Sequence, residues 1–163
     1  MNDRLRQLLV SLADRYETET FINDDPSWFM HQLDDPREQE TAAFLAMCLS
    51  YGSRKQFMPK IAQLLQMSHG KPYEWIARGG YEYDIKPTKQ CFYRLYTCQD
   101  IYRLLSALHD LFGQYGSLSL LAKEAAAQAS GDRSDVESVL VAMASFFRER
   151  GIKGLVPAPY TSA

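Results

Sequence analysis

The sequence is short of the residues that most often announce a chemistry. Three cysteines occur in 163 residues, at Cys48, Cys91 and Cys98. They form no CxxC pair and sit among apolar or aromatic neighbours, which argues against a disulfide framework and a zinc ribbon. The three histidines, His31, His69 and His109, lie far apart, and His109 beside Asp110 is an adjacent pair whose side chains would leave a helix in different directions. No metal or other cofactor is expected. The motifs GxxxxGK[ST], GxGxxG and GxSxG are all missing, so the phosphate-cradling loops and the hydrolase elbow are not available. No apolar run approaches the roughly 18–20 residues that span a bilayer, and the opening MNDRLRQLLVSLADRY mixes acids with bases, unlike a signal peptide. The expectation is a soluble cytoplasmic protein with no membrane partner.

What is present is ordinary in amount and uneven in distribution. Apolar residues make up 46% and charged residues 23%, as in a folded globular chain. This length suits one domain, residues 1–163, burying roughly 70% of the surface of its unfolded chain. Aromatics are plentiful, with 10 Tyr, 8 Phe and 2 Trp. The net charge of −2 conceals a contrast. Residues 1–50 hold 4 basic and 10 acidic side chains, whereas residues 51–103 hold 9 basic and 4 acidic. A basic middle is either a solvated face or an anion-facing surface; the whole-chain charge gives no support for strong non-specific nucleic-acid binding.

Hydrophobic spacing is helical nearly throughout. Leu5, Leu8, Leu9, Leu12 and Tyr16 predict an amphipathic helix over residues 3–17. Asp35 as cap, Pro36 at the first helical position and Glu38 closing a capping box start an Ala-rich central helix that ends at Tyr51-Gly52. The acid pairs Asp24-Asp25 and Asp34-Asp35 flank prolines and read better as caps than as catalysts. Ser53 with Gln56 offers another cap for a helix to about Met67, kinked or delayed by Pro59. Lys71-Pro72 opens a short helix closed by Gly79-Gly80. Residues 81–97 are the least legible: Tyr81, Tyr83 and Ile85 alternate too briefly for a strand, and Phe92 to Tyr96 suit a helical turn. Thr97 with Asp100 starts a helix whose inner stripe is Ile101, Leu104, Leu105, Leu108 and Phe112. Ser117 starts the next, ended by Ser130-Gly131. Ser134 and Glu137 cap the last, with Val136, Val139, Leu140, Met143, Phe146 and Phe147 facing inward. The fold class is therefore all-α, an irregular bundle of about seven or eight helices around the helix at residues 36–50.

Two constellations carry chemistry. In Tyr51-Gly52-Ser53-Arg54-Lys55 a buried helix delivers the chain to a tight turn, and the next helix begins with two cations. Free backbone N–H groups at a helix start attract anions, and cations there are mildly unfavourable to the helix itself, so a purely structural account leaves them unexplained and phosphate contact is one reading. Tyr51 offers a flat face on which a base could stack. The alternative is a common helix–helix turn with exposed bases. In the second, Phe92, Tyr93 and Arg94, preceded by Lys86 and Lys89, either line a pocket or bury the arginine stem against the core.

The order of acid-Pro, Ala-rich helix, LSYGSRKQ, kinked helix, CFYRL, DIYRLL and QYGSL resembles a bacterial domain-of-unknown-function family over most of residues 3–163. That family is distantly similar to the helix-hairpin-helix DNA glycosylases, the endonuclease-III-like and 8-oxoguanine enzymes. The resemblance implies the helical barrel part of that fold and a duplex-DNA partner, with Leu49-Ser50 and the Tyr51–Lys55 turn in the place of a DNA-contacting loop. It also implies a catalytic Lys and Asp beyond the proline-containing segment around Pro157 and Pro159, where Ser162 looks like the start of a capping signal. Lys153 precedes that segment and does not inherit the role. A Schiff-base reaction needs a desolvated Lys beside a carboxylate, so the expectation is a C-terminally incomplete, catalytically silent DNA-repair-like domain. The alternative is a helical protein-interaction module, or a homodimer joined through uncovered apolar surface. An enzyme using the Phe92–Tyr96 cluster is a more remote third.

Overall fold

The computed structural model describes residues 3–18, 22–23, 25–128 and 135–156. Among these, nine helices and one two-stranded sheet follow one another: α1 (Asp3–Tyr16), α2 (Trp28–His31), α3 (Pro36–Leu49), α4 (Arg54–Met67), α5 (Pro72–Ala77), α6 (Tyr81–Asp84), β1 (Cys91–Tyr93), β2 (Tyr96–Thr97), α7 (Cys98–Tyr115), α8 (Leu118–Ala127) and α9 (Asp135–Glu149). The chain is predominantly helical, as its spacing predicts, and the single-turn α2 and α6 take the count past eight. No described helix is long and apolar enough to cross a membrane.

The start of α3 shows why sequence and fold agree here. Asp35 Oδ1 accepts from the Arg37 and Glu38 N–H groups at 2.8 and 3.3 Å, with Pro36 at the first helical position. Glu38 departs from expectation. Its carboxylate accepts from the Tyr73 and Glu74 N–H groups at 2.5 and 3.2 Å, capping α5, whose own N-cap residue Lys71 supplies no acceptor. Glu40 does the same for α8, accepting from Leu118 and Ser119 at 3.0 and 3.1 Å. Two acids on one helix thus fix the starts of two others, and α3 packs against α2, α4, α5 and α8.

The centre is shared with α7, whose capping box of Thr97 and Asp100 forms as predicted. All five residues of its predicted stripe are buried, joined by Ala107 and Leu111. Ser117 caps α8 through the Leu120 N–H at 3.1 Å.

Three expectations need correction. Ser53 makes no side-chain cap, and α4 runs through Pro59. Residues 92–96 are not a helical turn: β1 and β2 pair antiparallel as a hairpin, with Cys91 opposite Thr97 and Tyr93 opposite Tyr96. In α9, Ala144, Phe146 and Phe147 are buried, but Val136 and Leu140 are 69% and 61% exposed. That helix packs chiefly on α8, and Phe147 stacks on Phe44 at 5.0 Å, so the core reaches only its C-terminal half. The amphipathic helix expected over residues 3–17 forms as α1, and no residue of it is buried. The readings at Asp24, Ser130-Gly131, Ser134, Pro157, Pro159 and Ser162 lie outside the described residues.

Candidate nucleic-acid interface

The turn between α3 and α4 is built in three residues. Ser50 has φ −73° and ψ 62°, and the Tyr51 N–H donates to Leu49 O at 2.7 Å, the geometry of an inverse γ-turn. The Ser50 hydroxyl donates back to Ala46 O at 2.7 Å, at the end of α3. Gly52 follows at φ 94°, a left-handed value that favours glycine. The reversal leaves Tyr51 to Lys55 exposed, Tyr51 by 58%.

The hairpin tip meets this turn. Tyr93 donates its hydroxyl to the Tyr51 carbonyl oxygen, and the Arg94 guanidinium lies over the Tyr51 ring, 5.2 Å from its centre. A Cβ on Gly52 would run into the Arg94 guanidinium and stand 3.4 Å from the Tyr93 hydroxyl. Glycine is favoured by its φ, whereas the Arg94 guanidinium, at the end of an exposed flexible side chain, could shift aside for a Cβ. Arg94 itself has φ 51°, a value that two-residue hairpin turns use but that Gly or Asn adopts with less strain.

The two constellations of the sequence thus become one surface, although 42 residues separate Tyr51 from Tyr93. Phe92 and Tyr93 place their rings in the core and anchor the tip, while Arg94 is exposed. Lys60 of α4 lies over the Phe92 ring at 4.9 Å, tying the hairpin base to α4. Arg54 and Lys55, with Met58 and Pro59, line an open groove of about 480 Å³ beside the turn. Ser53 makes no side-chain cap; its carbonyl oxygen accepts from the Gln56 and Phe57 N–H groups at 2.8 and 3.1 Å.

One acid tempers this basic surface. Asp25 approaches Arg54 at 3.7 Å. The Ser27 backbone N–H, donated at 2.9 Å, chiefly holds the Asp25 carboxyl below its ordinary pKa, and the Arg54 charge adds to this. Sequence reasoning missed Asp25 as a partner of the turn, along with Lys60 and Leu95, the residue after Arg94, which is 81% exposed. Nothing in local spacing signals these contacts. Among the described residues no group of three or more His, Cys, Asp or Glu is placed to hold a metal ion.

Residues 25–163 match the model of a protein family described as "Protein of unknown function (DUF2400)". No curated protein and no solved structure matches.

Proposed function

The chain belongs to the DUF2400 family, and on that premise we propose that it is a DNA-binding, DNA-repair-like domain. In this reading Tyr51, Gly52, Ser53, Arg54 and Lys55 meet the phosphate backbone. The observation that carries it is that Arg54 and Lys55 open α4 at an exposed turn that Arg94 also reaches, and the needs of the helix do not explain the two cations that begin it. Phosphate neutralisation explains them, since Lys and Arg at a backbone displace condensed counterions. The glycosylase resemblance of Leu49 to Lys55 agrees with a duplex-contacting turn, and no catalytic residue is assigned.

The test is duplex binding across a salt series. Wild-type affinity should fall steeply with salt. Arg54→Ala with Lys55→Ala should weaken binding and flatten the slope of log K against log salt by about two, roughly one per lost phosphate contact. Both side chains are exposed, so the double variant should fold normally. Binding that ignores salt and the double variant would defeat this reading.

A second reading rests on a different observation. Leu5, Leu8 and Leu9 of α1 and Val136 and Leu140 of α9 are all exposed, each group at the three- and four-residue spacing of one helix face. These faces support self-association, independent of nucleic acid.

A further inference from the structure

Tyr51 is the least economical residue on the surface just described. A large aromatic is held 58% exposed, and two other side chains are engaged in holding it there. Tyr93 fixes its carbonyl oxygen, and Arg94 backs its ring at 5.2 Å, doing so from a left-handed backbone conformation. That conformation is one a two-residue hairpin turn uses, so the turn itself carries Arg94 to the ring. Contact with phosphate alone needs none of this, because Arg54 and Lys55 already supply the charge.

We propose that the Tyr51–Arg94 pair is a preformed stacking platform for an unpaired base, so that the site prefers single-stranded DNA, or a single-stranded stretch, over intact duplex. This rests on the nucleic-acid reading above and narrows its ligand. A base inside a duplex has both faces covered by its neighbours, and exposing one requires unstacking it. A base in a single strand presents a free face. Stacking on an aromatic ring accepts any base, because every base has a π-face. The guanidinium behind Tyr51 adds a cation–π contact and restricts the ring before the ligand arrives, which lowers the ordering cost of binding. Leu95, 81% exposed at the same hairpin tip, offers apolar surface beside the platform, while Arg54 and Lys55 carry the flanking phosphates.

The experiment compares a short single-stranded DNA oligonucleotide with the blunt duplex of the same sequence, by fluorescence anisotropy at fixed low salt. Wild type should bind the single strand more tightly. Tyr51→Ala should weaken single-strand binding at least about fivefold, the lower end of what one stacked base contributes, and weaken duplex binding by clearly less. Tyr51→Phe should retain wild-type affinity, and Arg94→Gln should lose part of it. Equal binding of both ligands, insensitive to Tyr51→Ala but lost with Arg54→Ala and Lys55→Ala, would overturn the platform and leave the broader reading standing. Binding of neither ligand would overturn both.

Discussion

Asp25 opposes the function proposed for its neighbours. Its carboxylate lies 3.7 Å from Arg54, and an ion pair between partly exposed side chains contributes little to stability. Near an incoming phosphate the same charge cancels part of the attraction that Arg54 provides. Asp25→Asn separates these roles, because the amide oxygen can still accept from the Ser27 N–H, the contact that orients the side chain. The expected outcome is tighter binding to nucleic acid, by about two- to fivefold at low salt, the equivalent of one exposed charge pair. The gain should disappear in high salt, where such charges are screened. An unchanged or weaker affinity would place the ligand away from Arg54. The sequence could identify Asp25 as a cap beside Pro26, but not as a neighbour of Arg54, because that proximity depends on how α2 and its approach fold onto the α4 start.

Secondary-structure elements divide by how local their causes are. Asp35-Pro36, Thr97 with Asp100 and Ser117 each act within three residues of a helix start, so their spacing alone revealed them. Glu38 has the same spacing as a capping-box acid, yet it serves α5, 35 residues away. Burial raises its pKa above the ordinary value, since loss of solvent outweighs two backbone hydrogen bonds. The hairpin was illegible because strands of three and two residues cannot display a two-residue period, and the positive φ of Arg94 leaves no mark on residue type. The two carboxyls also respond to acid in opposite senses. Asp100 is held below its ordinary pKa, chiefly by the Thr97 hydroxyl and then by the Thr97 N–H, so its stabilisation is present above the ordinary carboxylate pKa and is lost as pH falls through the lowered one. Glu38, raised, favours the folded state more as pH falls through its raised pKa. Asp100→Asn keeps an acceptor for Thr97 but removes the negative charge from the first turn of α7, and should therefore cost about 0.3–1 kcal/mol at neutral pH. That cost should shrink as pH drops below the ordinary aspartate range, which denaturant melts of both proteins across pH would reveal. A cost independent of pH would mean that the Asp100 charge contributes nothing to the cap.

At the scale of the molecule, apolar surface is distributed unevenly. The core runs through α3, α7 and the C-terminal half of α9, whereas α1 buries nothing and the N-terminal half of α9 leaves Val136 and Leu140 open. The amphipathic stripe of α1 was plain in the sequence; whether a partner surface exists is a tertiary fact that periodicity does not contain. Fully covering an exposed side chain of this kind stabilises by roughly 1.5–3 kcal/mol, so several from each copy must be covered to outweigh the roughly 4–15 kcal/mol that association costs. If the second reading is correct, sedimentation velocity will show association that rises with protein concentration and persists in high salt, since the driving force is apolar. Val136→Glu with Leu140→Lys should abolish it. The pair sits at i and i+4 with the acid nearer the helix start, an arrangement that supports α9 and so should not unfold it. The same variant should keep wild-type affinity for nucleic acid, because neither residue belongs to the Tyr51–Arg94 surface. Wild type that stays monomeric up to its solubility limit would remove self-association as a role for this face. Loss of nucleic-acid binding together with the dimer would show instead that the basic turn works only in an assembled pair.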